Sequence, residues 1–560
     1  MKDKQLILIN KKRVLYAMSF AISCLALHCV TKNLYTDVDN YTISVVTNGL
    51  YDADNYCIHL HPILCWIIGK LSDIFPQTDV FALLGRMLIL GALMWLFYAI
   101  LKSRQRVIDK TLEILFLLFL STAFSIWNKN YTVQAAFFMF VGLMMLVREA
   151  RKKKIGRLNI CIGTVFVCVG IMWRIQAALL FVPFVLLELV VSQICSEKSD
   201  VIYCRNVKKI FGSVFLLFLM LVLSRSAVQM SERYNSSVTY DAARVIVQDY
   251  PMKEWEKVEC ELIGISQSEY DSARAWVLLD TEVIDKDLLL RISDVGESTE
   301  FEWSLHGLVK GLEKMALTVW RSSKTVWIFL GIFFFIFLYA FLANQSWWRK
   351  LECVLVCVGT WIIILYYIMI GRAPLRVWES VIFAAISILA INVIFIDKHF
   401  VDKKWFSALK LFIGLVLCVG IIKDVVTADF SMPQLAITSR INVDESVFDE
   451  TFENESLYFW HSWHANMTRY YMDQGKLPSE KFLQHNLPVG DWIYGQVYFN
   501  NHLKELKARN PAKALIERSN TYFISDDASF LLEYLQEHYR KDIEAKQCGE
   551  IKNIPIWSFQ

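Results

Sequence analysis

Apolar segments of about 20 residues recur along this chain from residue 14 to residue 422, and they constrain its fold more than any other feature. A helix of that length matches the hydrocarbon thickness of a bilayer. The chain is 55% hydrophobic and 14% aromatic, whereas charged residues make up only 20%. Soluble globular proteins contain fewer apolar and more charged residues. The sequence therefore predicts a polytopic α-helical membrane protein.

Basic residues at the ends of these segments predict the orientation of the chain. Lys11, Lys12 and Arg13 precede the first segment, and a dense basic group at 148–157 follows the fourth. Basic flanks favour the cytoplasmic side. This rule gives about eleven spans, an N-terminus in the cytoplasm and a C-terminus outside. The predicted spans are 14–31, 78–101, 111–127, 131–147, 158–173, 175–194, 210–224, 325–343, 351–370, 377–396 and 405–422. The net charge of +3 gives no support for a nucleic-acid partner.

Within a predicted transmembrane domain at 1–424, two long external loops cover 32–77 and 225–324. The first loop contains an apolar run, Ile58 to Phe75, that His59, His61, Pro62, Lys70 and Asp73 interrupt. Such a run favours a helix that lies in the membrane interface rather than one that crosses. The second loop is rich in Asp and Glu, and apolar residues such as Leu288, Leu289, Ile292, Leu305 and Leu308 predict an ordered cap.

Residues 425–560 alternate strand-like and helical patterns, which predicts a small external α/β domain. The predicted strands are Leu457 to Trp460, Trp492 to Tyr498, Thr521 to Ile524 and Ile554 to Phe559. A helix is expected from Phe530 to Tyr539.

Two carboxylates, Asp37 and Asp39, stand between aromatic residues just after the first span. A carboxylate held at a membrane boundary can have its ionisation controlled by the protein and can act as a general base. Solvated loop carboxylates are the alternative.

Three arginines occupy the side of the membrane that usually avoids positive charge. Arg372 and Arg376 lie in a short hairpin, and Arg174 divides an apolar stretch. A guanidinium can bind phosphate through two hydrogen bonds. Snorkelling to lipid head groups explains the hairpin arginines equally well, and Arg174 either faces a cavity or lies at the interface. The chain contains no Walker, dinucleotide-binding or G-x-S-x-G motif, so nucleotide-driven transport and serine hydrolysis lose support.

The acidic pair, the element His61-Pro62-Ile63-Leu64 and the later Arg86 resemble the first loop of integral-membrane glycosyltransferases of the GT-C fold. The bacterial enzymes that use polyprenyl-phosphate sugars are the most similar. Two departures leave the acting carboxylate open: the acids read Asp-Val-Asp rather than adjacent, and the second element has one proline instead of two.

The resemblance implies a cell-membrane glycosyltransferase in which an external Asp deprotonates an acceptor hydroxyl and the anomeric configuration inverts. The implied partners are a polyprenyl-phosphate sugar donor, a glycan or lipid acceptor and membrane lipids. No metal ligand and no cofactor is assigned, and a divalent cation stays open. The candidate residues are Asp37 and Asp39 for catalysis, Arg372, Arg376 and Arg174 for the donor phosphate, and His59, His61, Asp54 and Arg86 for the substrate.

Two other functions remain as alternatives. A cell-envelope polysaccharide polymerase would depend on arginines of the second loop, such as Arg233, Arg244, Arg274 or Arg291. A flippase or transporter of lipid-linked sugars would need charged or broken helices at mid-membrane, and few occur in the predicted spans.

Overall fold

The fold comes from a computed structural model of the 560-residue chain. The residues that it describes are 2–31, 38–52, 54–76, 78–103, 106–150, 155–196, 201–258, 264–296, 304–343, 346–394, 404–426, 456–461, 480–490, 492–551 and 554–560.

Most of the described chain up to residue 426 is helical. The helices are α1 (Lys2–Thr31), α2 (Val38–Thr47), α3 (Pro62–Ile74), α4 (Val80–Lys102), α5 (Val107–Ser121), α6 (Tyr131–Ala150), α7 (Arg157–Trp173), α8 (Ile175–Leu179), α9 (Val182–Ser196), α10 (Val201–Gln229), α11 (Glu232–Asp249), α12 (Gln267–Arg274), α13 (Lys286–Gly296), α14 (Leu305–Arg321), α15 (Lys324–Ala343), α16 (Trp347–Met369), α17 (Leu375–Ile394) and α18 (Lys404–Val426).

Every predicted span contains a helix. Among the described residues, six helical stretches are long and apolar enough to cross a membrane. They lie in α4, α6, α8 with α9, α10, α15 and α16. This indicates a multi-pass membrane protein, but the predicted number of about eleven spans is not confirmed. Helix α5 is one reason, because its 15 residues reach about 23 Å and the hydrocarbon core is about 30 Å thick.

Helix α6 forms the centre of the bundle and packs very closely on α7. A Cβ at Gly142 would lie 2.8 Å from the carbonyl oxygen of Gly163, and one at Gly170 would lie 2.7 Å from Cγ of Met139. Small residues allow such close approach between apolar helices. The contact fixes the end of α7, where Arg174 lies, beside the start of α6.

The apolar run in the first loop folds into α3, with His61 as the N-cap and a proline in the first turn. Its 13 residues reach about 20 Å, which is too short to cross a bilayer. Ile63, Trp66 and Ile74 are exposed. The interfacial position of this helix stays a prediction.

The second loop contains α11, α12, α13 and α14. Leu288, Leu289 and Ile292 are buried on α13, as the prediction of an ordered cap requires. Leu305 and Leu308 also lie on a helix, α14, but their side chains are exposed. On α14 the residues Gly307 and Gly311 are buried, and Met315 and Val319 pack against the core.

The C-terminal residues form a five-stranded mixed sheet with helices. Its elements are β1 (Leu457–His461), α19 (Glu480–His485), β2 (Asn486–Val489), α20 (Val497–Glu505), α21 (Pro511–Glu517), β3 (Thr521–Ile524), α22 (Ser529–His538), β4 (Ala545–Ile551) and β5 (Ile554–Phe559). The strand order is β2-β1-β3-β5-β4. Strand β1 runs parallel to β2 and β3, and β5 is antiparallel to β3 and β4.

Three of the four predicted strands and the predicted helix from Phe530 are confirmed. The prediction of a strand from Trp492 to Tyr498 is wrong, because turns lead from Trp492 into α20. Gly495 has a φ of 75°, which extended strands do not adopt. A Cβ at Gly495 would lie 2.4 Å from the ring of Tyr240, so this turn packs tightly on α11.

Candidate functional site

A cavity of about 940 Å³ lies between one end of the helical bundle and the C-terminal sheet. Its walls come from the first loop, the break after α7, the end of α10, α11, the hairpin after α16 and the loop after β2. Arginines outnumber carboxylates on these walls, which favours an anionic ligand. The charged lining residues are Arg174, Arg225, Arg244, Arg372, Arg376, Asp39, Asp241 and Asp249.

Asp39 lies in the first turn of α2 and lines this cavity. The Nδ2 atom of Asn130 donates to Oδ2 of Asp39 over 3.2 Å. The neighbouring Asn40 donates to the carbonyl of Lys129 and accepts from the amide of Tyr131. The turn before α6 therefore holds Asp39 in place. The other candidate base, Asp37, lies outside the described residues.

Arg372 and Arg376 both line the cavity, and each has a carboxylate partner. Nη2 of Arg372 lies 2.5 Å from Oδ2 of Asp249, and its guanidinium is 5.3 Å from the ring centroid of Tyr250. Nη1 of Arg376 lies 3.7 Å from Oδ2 of Asp39. The hairpin therefore brings a cation next to the candidate base.

Arg174 lies between α7 and α8 in an extended conformation, so its side chain leaves the helical path. Its guanidinium is 4.9 Å from the ring centroid of Tyr131. The Nε and Nη1 atoms are buried and have no hydrogen-bond partner among the described residues. Buried donors without partners are costly in a protein interior. Because Arg174 lines the cavity, these donors are available to an anion.

Arg225 gives a second cation of this kind. It is buried near the end of α10, and its Nη2 donates to the carbonyl of Ile58 over 2.7 Å. Its Nε has no partner among the described residues. Arg225 thus both binds the first loop and lines the cavity.

His59 lines the same cavity, and its ring meets the ring of Trp492 edge-on at 4.5 Å between centroids. Burial holds the pKa of His59 well below its ordinary value, and the nearby arginines 174, 244, 225 and 372 lower it further. His59 is therefore a neutral hydrogen-bonding group at pH 7.

Three other sequence candidates do not line the cavity. His61 is buried: its Nδ1 accepts from the amide of Ile63, and its Nε2 donates to the carbonyl of Leu221 over 3.0 Å. Asp54 accepts from the hydroxyl of Tyr234 and pairs with Arg233 at 2.9 Å. Arg86 lies on α4, near the N-cap residue Asp79. These contacts join the first loop to α10 and α11, and a part for His61 and Asp54 in substrate binding stays a prediction.

Several cavity residues are not among the candidates that the sequence predicts. Arg225 begins the second predicted loop, although a charge at the end of an apolar span is the same signal that marks Arg174. Trp276 adopts a φ of 64° and lines the cavity with a partly exposed ring. No local sequence signal marks Trp276 or Trp492.

The described residues contain no group of three or more His, Cys, Asp or Glu side chains that could hold a metal ion. Asp39 lies next to the cation Arg376 and accepts a hydrogen bond from Asn130.

No family model matches this chain, and no curated protein matches it. Among solved structures, the chain is similar to the crystal structure of the Archaeoglobus fulgidus oligosaccharyltransferase in the apo form. The two share 12% sequence identity, with a TM-score of 0.39, over 92% of this chain and 69% of the other. A similarity this distant does not establish a family.

Proposed function

We propose that this protein is a membrane glycosyltransferase of the GT-C type. It would transfer a sugar from a polyprenyl-phosphate donor to an envelope glycan or lipid acceptor on the outer face of the membrane. One observation carries the proposal: a single cavity contains a positioned carboxylate, Asp39, together with arginines that suit a phosphate.

In this reaction Asp39 accepts the proton of an acceptor hydroxyl. The hydroxyl oxygen attacks the anomeric carbon as the bond from that carbon to the phosphate oxygen of the donor breaks. The bonding electrons leave with the lipid phosphate, and the configuration inverts. Asp37 keeps the same role as an alternative, because the two carboxylates are only two residues apart.

Cations stabilise the charge that develops on the departing phosphate. Arg174 and Arg225 suit this task because each has a buried N–H donor without a partner among the described residues. Arg372 and Arg376 already pair with carboxylates, so their part is to shape the site and to balance its charge. We assign phosphate binding first to Arg174.

The acceptor would lie against the wall formed by α11, Trp276 and the loop after β2. The ring of Trp276 is partly exposed on this wall, with the guanidinium of Arg244 at 5.6 Å from its centroid, and sugars stack on aromatic faces. Nε and Nη2 of Arg244 both donate to Oδ1 of Asp241, and the two residues line this wall as a charged pair. This wall belongs to segments outside the predicted spans, as access for a glycan requires.

The polymerase alternative has less support. Of its four arginines only Arg244 lines the cavity. Arg233 pairs with Asp54, Arg274 pairs with Glu254, and Arg291 donates to the carbonyl of Gly264. Each of these three arginines therefore has a partner within the protein, away from the cavity.

The test is transfer of radiolabelled sugar from a polyprenyl-phosphate donor to envelope glycan in membranes that contain each variant. We expect Asp39→Asn to lower the rate about 10²- to 10⁴-fold, the usual contribution of a general base. Asp37→Asn and the double variant decide between the two carboxylates. Asp52→Asn is the matched control, because Asp52 lies in the same loop but binds Asn501 outside the cavity. Full transfer by the double Asp37→Asn/Asp39→Asn variant would refute the proposal.

A further inference from the structure

Helix α14 carries an apolar face that no other part of the described chain covers. Leu305 is 80% exposed, Val309 55%, Leu312 43% and Trp320 77%. These positions recur with helical spacing, so they form one continuous stripe. An exposed stripe of large apolar side chains indicates a binding surface or a membrane contact.

A different stripe of α14 holds the helix on the protein. Gly307 and Gly311 are buried, and α14 packs against α16. Ser304 is the N-cap, and its Oγ accepts from the amide of Gly307 over 3.1 Å. The helix is therefore well formed and anchored, and its apolar stripe is not an unfilled part of the core.

A third stripe is basic. Lys310, Lys314 and Arg321 are exposed, and Glu313 is the single acidic residue of the helix. A helix with an apolar face, a tryptophan and lysines on the flank lies in the plane of a membrane interface. Anionic head groups attract such lysines.

The position of α14 in the chain also indicates contact with membrane lipid. The helix ends at Arg321, and the candidate span α15 begins at Lys324. Its packing partner α16 is also a candidate span. Tyr367, near the end of α16, lines the cavity described above. Helix α14 therefore leads directly into one candidate span and packs against another, and the outer surfaces of both spans would meet lipid.

We infer that α14 lies in the membrane interface, with Leu305, Val309, Leu312 and Trp320 among the acyl chains of an anionic leaflet. Lys310 and Lys314 contact the head groups. The helix then fixes how deep the cavity lies relative to the bilayer surface. This inference is independent of the proposed reaction, since it concerns lipid contact alone.

The experiment uses the full-length protein in lipid nanodiscs that contain phosphatidylglycerol. A solvatochromic fluorescent amino acid is introduced by amber suppression at Val309 or Leu312, and at Lys310 or Lys314 as matched controls one turn or less away. We expect blue-shifted emission and strong quenching by brominated acyl chains at 309 and 312. Emission at 310 and 314 should stay red-shifted and respond instead to an aqueous quencher.

Equal aqueous quenching at all four positions would overturn the inference. So would a blue shift at 312 without quenching by brominated lipid, because a protein surface, such as a second copy of the chain, would then cover the stripe. The variant Leu312→Glu gives a second measurement: its introduced charge should weaken association of α14 with lipid, seen as aqueous quenching gained at position 309. No change at 309 would also count against insertion.

Discussion

At the scale of single residues, the cavity separates arginines that stabilise the protein from arginines that are available to a ligand. Arg372 is neutralised by Asp249, whereas Arg174 has two buried donors without partners among the described residues. The sequence alone does not distinguish Arg372 from Arg174, because each is an arginine next to an apolar segment. Their different partners come from distant parts of the chain, and no local pattern could predict them.

Arg174→Gln should weaken binding of undecaprenyl phosphate about 10- to 100-fold. This range corresponds to the loss of a charge-assisted hydrogen bond of about 1.5–3 kcal/mol. The melting temperature should not fall, since the variant removes buried donors that lack partners. Binding is measured on the purified protein by ligand-dependent shifts in thermal unfolding.

Arg372→Gln serves as the contrast, because it leaves Asp249 without its partner and should lower the melting temperature even without ligand. Arg233→Gln, outside the cavity, should leave binding unchanged. Wild-type affinity in Arg174→Gln would remove Arg174 from the phosphate site.

The neutral state of His59 predicts a pH dependence of stability. Its folded-state pKa is depressed, while the unfolded chain titrates near 6.5. Below that pH the unfolded state binds a proton that the folded state rejects, so stability falls as the pH decreases. Melting temperatures from pH 7.5 to pH 5 should therefore drop less steeply in His59→Gln than in the wild type. His306→Gln, an exposed position on α14, controls for the loss of any histidine.

At the scale of elements, sequence patterns locate most helices and strands but fail where tertiary contacts impose a turn. Thr521–Ile524 and Ile554–Phe559 are strands as predicted, because β-branched and aromatic residues fit a half-buried sheet. The segment from Trp492 has the same composition, yet Gly495 turns the chain against Tyr240 of α11. A contact between residues far apart in sequence thus overrides a local preference.

The loop after β2 depends on a second glycine. Gly490 has a φ of 74°, and a Cβ there would lie 1.5 Å from the carbonyl oxygen of Trp276. We expect Gly490→Ala to push this loop away from Trp276. The left-handed conformation alone costs about 1–2 kcal/mol for alanine. Hydrogen exchange should increase around Trp276, and sugar transfer should fall.

Gly549→Ala is the matched control in the same sheet, where a Cβ would meet only Ile556 at an ordinary 3.7 Å. If Gly490→Ala shows the same hydrogen exchange and the same rate of sugar transfer as this control, the loop does not form a functional wall of the cavity.

At the scale of the whole molecule, the cavity joins residues from Asp39 to Trp492, which span most of the chain. Hydropathy could predict the helical segments, because each carries its own apolar signal. It could not predict which helix ends meet, since that depends on contacts such as the close packing of α6 on α7. Asp39, Arg174, Arg372 and Arg376 are therefore recognisable from their unusual positions in the sequence, and Arg225 from its place at the end of an apolar span, whereas Trp276 emerges only from the assembled fold.

The orientation of the molecule remains the prediction on which the chemistry depends. The basic flanks predict that the start of α1 and the end of α4 lie on the cytoplasmic side, and that the C-terminal sheet lies outside. Cys548 is exposed on β4 and reports on the outer side, whereas a cysteine at the exposed Lys102 reports on the inner side. A membrane-impermeant maleimide should label Cys548 in intact cells and Lys102→Cys only after permeabilisation, with Cys548→Ser as the control. Labelling in the opposite order would place the cavity in the cytoplasm, where soluble nucleotide sugars are available and a lipid-linked donor loses its advantage.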